Sequence, residues 1–329
     1  MSQPRQPSHP TEPPGPITSP GAVVPPTVPM PSAEDLQGAA SAGPGRPGVQ
    51  ARPRRGRRLA RRFLRRPLAV AGLVLVIGFV LLALLAPLFG DATAQDFSAV
   101  FRPPSLAHPL GTDDLGRSEL ARVAVGARVS LEAGVLATLL AMVLAVPIGL
   151  LAGYYRGWID TVVSRVTDVL LAFPFLILAV GLAAILGASL RNVILALGLS
   201  QLPGLIRVAR GEALGLREQD YVTAAVADGA SDLTILRRYL LPNAMSPLIV
   251  QATVAIPATI IGEATLSFLG LGVQPPTPSW GTMLSSAQSF LDQAWWLAVV
   301  PGLAIAAATL GFNLLGDGLR DVLDPRSVR

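Results

Sequence analysis

The stretch YVTAAVADGASDLTILRRYLLP, residues 221–242, is the most polar run between two long apolar segments, and it is built as two short helices, not as a loop. Tyr221 to Ala227 is alanine-rich and free of Gly and Pro. Gly229 then offers a cheap positive φ, and Ser231 stands where a helix N-cap belongs. On the second helix Leu233, Leu236 and Leu240 recur at i, i+3 and i+7 with Tyr239 alongside, while Asp232, Arg237 and Arg238 fall elsewhere on the wheel. Pro242 should end that helix. The spacing predicts a knuckle with one apolar stripe, to be buried against a neighbouring protein or the bilayer surface.

Outward from the knuckle the chain is mostly membrane. Of its 329 residues 51% are hydrophobic and only 14% charged, against about 25% charged in ordinary soluble domains. Uncharged runs at 67–90, 133–155, 169–190, 192–206, 240–262 and 293–316 predict six spans of an all-α integral membrane protein. The fourth run is short, and its flanking Arg191 and Arg207 are expected to snorkel, with the helix extending towards Arg210. Ala92-Thr93-Ala94 mimics a cleavage site, but the preceding apolar run is too long for a signal peptide and should stay uncleaved.

Residues 1–53, rich in Pro, Gly, Ser and Ala, read as a disordered tail whose Pro pairs offer polyproline ligands to some partner or are simply unselected. Residues 54–66 hold eight arginines directly before the first span. They read as an anchor on anionic membrane lipid, worth about 1 kcal/mol each near the surface, and not as a nucleic-acid site, because no readout module accompanies them. Residues 91–125 form an external loop and 318–329 the C-terminal segment. Arginines cluster at the N-terminus, at Arg156 and Arg165, from Arg207 to Arg238 and at the C-terminus; the other side receives only Arg102, Arg117, Arg122, Arg128 and Arg191. The positive-inside rule therefore puts both termini and the knuckle in the cytoplasm.

The chain has no lysine, so it cannot hold a phosphate-binding loop, which needs one, and an ATP-driven role requires a second chain. It has no cysteine, and its two histidines, His9 and His108, are far apart. Glu263 is the one carboxylate within a span and with Ser267 and Phe268 reads as a pathway or gate group, or as a structural cap. His108, Asp113 and Asp114 sit among turn residues and read as turn chemistry, not as a metal site. Asp160 and Asp168 read as solvated carboxylates beside the third span, and Trp280, Trp295 and Trp296 as interfacial belt residues. A proton-coupled transporter would use Glu263 as its coupling group; a membrane-embedded enzyme would need paired carboxylates that do not occur.

The knuckle resembles the cytoplasmic Glu-Ala-Ala loop of ABC-importer permeases: Thr223, Ala224, Ala225, Gly229, Leu241 and Pro242 fall on its spacing, with Thr223 where that family has Glu and Tyr239 where it has Ile. HPLGTDDLGR at 108–117, GLGVQPPTPSWG at 270–281 and FNLLGDGLRDVLDPR at 312–326 are similar to the C-type subunit of the dipeptide and oligopeptide permease branch. The resemblance implies a type-1 permease fold with its domain at 126–317 and a cytoplasmic coupling helix. It implies an ATPase-coupling surface at Tyr221, Thr223, Ala224, Ala225, Asp228, Gly229, Ala230, Ser231, Leu233, Leu236, Leu241 and Pro242. It also implies a second permease subunit, two ATPase subunits holding ATP and Mg, and an extracytoplasmic solute-binding protein, with no cofactor on this chain. Di- or oligopeptides are the implied cargo, with nickel or another small solute as alternatives.

Overall fold

The computed structural model describes residues 63–323; the expected tail at 1–53, most of the arginine segment 54–66 and the end of the chain at 324–329 lie outside the described residues. The long helices are α1 (Pro67–Leu84), α2 (Glu119–Tyr155), α5 (Leu190–Arg217), α7 (Asp232–Phe268) and α9 (Trp296–Leu323). Between them lie α3 (Gly157–Leu171), α4 (Phe175–Leu186), α6 (Asp220–Ala227) and α8 (Trp280–Ala287).

Five of these helices are long and apolar enough to cross a membrane, and α3 with α4 makes a sixth crossing only as a pair bent by 88°. The run at 169–190 is thus not the single straight span that its hydropathy predicts. Pro174 stands at the break with an extended ψ of 133°; it has no N–H to continue the helical ladder and disfavours helical backbone in the residue before it. Asp160 and Asp168 are not merely solvated either. Arg210 Nε and Nη2 both donate to Asp160, Nη2 at 2.7 Å, and Arg207 Nη2 lies 2.6 Å from Asp168. Those pairs explain the fourth span: Arg207 and Arg210 lie inside a 28-residue helix instead of marking its end.

What draws the long helices together is small side chains, since a lipid environment supplies no hydrophobic drive between helices. On α2, Gly149 and Gly153 sit one turn apart and face Ala209 and Ala213 of α5. A Cβ on Gly149 would lie 2.6 Å from the Ala209 Cβ and 2.7 Å from the Ile206 carbonyl oxygen. Similarly a Cβ on Gly72 of α1 would meet the Leu315 backbone nitrogen of α9 at 2.6 Å.

At the end of the bundle away from the knuckle, tryptophans are packing groups. Trp280 is wholly buried and donates from Nε1 to the Val123 carbonyl at 3.1 Å. Trp296 is also buried and donates to the Thr112 carbonyl at 3.1 Å. Of the three residues read as a belt, only Trp295 is exposed. In the loop before α2, Asp113 accepts from the Arg117 backbone N–H at 2.9 Å and its Nε at 2.6 Å, with Arg122 Nε at 3.4 Å.

Gly153→Val should destabilise the chain by about 1 to 3 kcal/mol, because the new Cβ would fall 2.6 Å from Ala213 Cβ and 2.7 Å from the Arg210 carbonyl. Gly215→Ala, in open space on α5, should cost nothing. Thermal unfolding of the detergent-solubilised variants measures both.

Candidate functional site

The knuckle forms where three helix ends meet: α2 ends at Tyr155, α5 ends at Arg217 and α7 begins at Asp232. α6 closes in a Schellman turn. Gly229 takes φ +78°, its N–H reaches the Val226 carbonyl at 3.0 Å, and the Ala230 N–H reaches the Ala225 carbonyl at 3.0 Å. A left-handed residue in this position is cheap only for Gly, which accounts for Gly229. Ser231 is extended and precedes the next helix, but its hydroxyl pairs with Thr234 Oγ1 at 2.9 Å instead of capping a backbone N–H.

The second helix does not end at Pro242; it runs on into α7 as one helix of 37 residues. Ile235–Leu240 is a π turn, with the Leu241 N–H bonded to the Leu236 carbonyl. The wider turn accommodates a residue with no N–H to donate and makes room for its ring.

That extra residue in the turn also redirects the stripe. Ile235, Leu236 and Leu240 are buried, packed with Val146, Leu150 and Tyr154 of α2, Ala209 and Ala213 of α5, and Val222 of α6. Leu236 is thus spent inside this chain and is not available to a partner, and Ala225 is likewise buried. Leu233, at 63% exposure, points out, as do Val226 and Tyr221. Thr223, Ala224, Asp228, Gly229, Ser231 and Pro242 are exposed, with Ala230 and Leu241 half-buried. Tyr221 stacks on Tyr239 with ring centroids 6.5 Å apart, and partial burial pushes its phenol above the ordinary value.

Tyr154 of α2 lies in the buried cluster behind this patch, off its exposed face. It is 7% exposed, its hydroxyl donates to Asp232 Oδ1 at 2.7 Å, and Arg217 Cζ lies 5.6 Å from its ring centroid. Sequence pattern gave no sign of this contact, because Tyr154 reads as the apolar end of a span. The only local signal is the small-residue pair Gly149 and Gly153 just before it.

Towards the far end of α7, Glu263 is fully buried. Ser130 Oγ of α2 donates to Glu263 Oε2 at 2.8 Å, and Ser267 Oγ donates to Oε1 at 2.7 Å. Ser267 in turn accepts the Val273 N–H at 3.2 Å. Of the three residues read as pathway or gate, Glu263 and Ser267 are therefore sealed inside the chain, and Phe268 is exposed. This arrangement binds α2 to α7 through neutral hydroxyls. Among the described residues it brings no second titratable group to the carboxylate.

The family model described as binding-protein-dependent transport system inner membrane component matches residues 145–329. That of the N-terminal TM domain of oligopeptide transport permease C matches residues 55–104. The dipeptide transport system permease protein DppC of Alkalihalophilus pseudofirmus is 42% identical over 261 residues, 79% of this chain and 86% of that protein. The glutathione transport system permease protein GsiD of Pectobacterium atrosepticum is 44% identical over 269 residues, 81% of this chain and 89% of that protein. Among solved structures, the inward-facing MetNI methionine ABC transporter has a similar fold, with TM-score 0.51 and 20% identity over 62% of this chain and 96% of that one.

Replacing Glu263 by Gln should leave stability near that of the parent, since the amide offers an acceptor to one serine and a donor to the other hydroxyl. Glu263→Ala should cost about 1 to 3 kcal/mol by stranding both hydroxyls. Thermal unfolding checks the pair; loss of uptake in the Gln variant with unchanged unfolding would mean that the charge itself is used.

Proposed function

This chain belongs to the family of inner-membrane components of binding-protein-dependent transport systems, and from that premise we propose that it forms half of a plasma-membrane import pathway for di- or oligopeptides. A second permease chain supplies the other half. Two ATPase subunits, which hold ATP and Mg, lie below the pair, one of them seated on this knuckle, and a solute-binding protein delivers cargo at the opposite end. Peptide cargo is supported by relatives named for dipeptide, peptide and glutathione transport. The arginine asymmetry supports cytoplasmic termini and a cytoplasmic knuckle.

One observation carries the coupling role: the knuckle has two differently used faces. Its inner face, Ile235, Leu236 and Leu240, is fixed to α2 and α5, while Leu233, Val226 and Tyr221 stand out from a polar surround. A subunit that pushes on the outer residues therefore pushes on the bundle. Exposed Thr223, Ala224 and Asp228 border that apolar tip and complete the proposed docking face.

Two substitutions separate docking from folding. Leu233→Asp should insert and fold normally, yet weaken ATPase docking by about ten- to a hundredfold, the loss of a buried Leu contact of roughly 1.5 to 3 kcal/mol. Leu236→Asp should fail to fold, because it buries an unpaired charge. Copurification of the ATPase subunits and ATP-dependent uptake of labelled dipeptides provide the readout. Full uptake by Leu233→Asp would overturn the docking face, and uptake that persists without ATPase subunits would overturn the mechanism.

A further inference from the structure

Docking alone does not say how a push on the knuckle reaches the spans. Three helix ends meet at one side chain there. Resting on the docking reading above, we propose that Tyr154 is a positioning residue that transmits movement of the knuckle to α2 through its hydrogen bond to Asp232.

Each part of the contact has a separate job. Asp232 opens α7 and carries the first-turn carboxylate of that helix. The Tyr154 hydroxyl donates to it at 2.7 Å, a charge-assisted bond that is directional in a way hydrophobic contact is not. Arg217 lies over the ring at 5.6 Å and brings in the end of α5. Beneath the ring, Val222 of α6 and Ile235 and Leu236 of the π turn belong to the same buried cluster. The apolar floor holds the knuckle on; the hydroxyl fixes which way it is turned.

Behind Tyr154 the path is a single helix, with Pro147 inside it. Gly153 and Gly149 bring α2 into backbone contact with α5, so the two helices are held as a pair at this end. At the other end of α2, Ser130 holds Glu263 of α7. Residues 130 and 154 are separated by roughly 36 Å along the helix at 1.5 Å per residue. A displacement of Asp232 is thereby delivered to the far side of the membrane along one element.

The test uses the complete complex, with its permease partner and ATPase subunits, in lipid nanodiscs. Because the chain has no cysteine, Arg128→Cys places a single spin label in this chain, on an exposed position of α2 beyond Ser130. The readout is the ratio of the mobile to the immobilised component of the label's spectrum, with and without Mg and ATP, together with the rate of ATP hydrolysis. Tyr154→Phe keeps the ring, its apolar contacts and the Arg217 stack but removes the hydroxyl. It should leave hydrolysis unchanged while reducing the nucleotide-driven change in that ratio by about tenfold, the usual scale of a hydrogen bond to a charged group. Asp232→Asn, which keeps an acceptor, should retain most of the response. Asp232→Ala should lose at least as much as Tyr154→Phe, because Tyr155 also neighbours this carboxylate, and the double variant should be no worse than Asp232→Ala.

A full response in Tyr154→Phe, or additive losses in the double variant, would overturn the proposal. So would failure of Tyr154→Phe to retain the ATPase subunits, since that is a docking defect. Cross-linking from Leu233→Cys to an ATPase subunit is scored separately in the parent complex. Its absence would sink the docking face, whatever Tyr154 does.

Discussion

Backbone-to-backbone contact between α2 and α5 is the constraint on which the rest of the molecule depends. In a bilayer, lipid tails are as apolar as leucine, so helices associate by close packing and hydrogen bonding and not by escape from water. Gly149 and Gly153 against Ala209 and Ala213 provide that packing at the end of the bundle where the knuckle sits. The contact fixes the end of α2 beside the end of α5, and so sets Tyr154 beside Arg217. It also builds the floor on which Ile235, Leu236 and Leu240 rest. A gap between those two helices would leave the knuckle's inner face without a surface.

The π turn shows why a helical wheel misassigns that face. Successive residues of an α-helix turn by about 100°, and on that wheel Leu233, Leu236 and Leu240 share one stripe. Inserting a π turn at Ile235–Leu240 adds a residue to the ladder and rotates every later position about the helix axis. Leu233, before the turn, stays outside, while Leu236 and Leu240 face the core. No composition rule announces such a turn, although Pro242 just after it is a hint: an uninterrupted α ladder would have to bond an N–H that Pro does not have. The proline is plain in the sequence, but its consequence is a widened turn and not the stop that its ordinary behaviour suggests.

Other features were legible for reasons that can be named. Gly229 was readable because a Schellman turn needs one left-handed residue and little else satisfies it. The apolar runs were readable because backbone polar groups in lipid leave few alternatives to a helix. What escaped were contacts between distant segments. Ser130 meets Glu263 across 133 residues of chain, and Trp280 reaches the Val123 carbonyl across 157. A tryptophan near a span end looks like an interfacial anchor until a neighbouring helix is known to cover it. Likewise Asp160 looked solvated because Arg210, its partner, lies on another helix 50 residues further on.

The polar groups inside the bundle obey one rule that bears on how it moves. Thr138 of α2 lies 3.3 Å from Thr259 of α7, Gln201 of α5 donates to the same Thr259, and Ser130 and Ser267 hold Glu263. Each of these contacts ties α2 or α5 to α7, or closes one turn of α7 itself, and none reaches α4. A polar contact inside a bilayer is costly to break unless both groups find new partners, so α2, α5 and α7 are expected to shift together rather than slide past one another. Rearrangement is then concentrated at breaks already present in the ladder: the 88° bend between α3 and α4, the π turn at the knuckle, and prolines inside the long helices, among them Pro147, Pro203, Pro257 and Pro301. Among the described residues no second titratable group meets Glu263, so under the proposed function the work of transport enters from outside the bundle, at the knuckle fixed to its end.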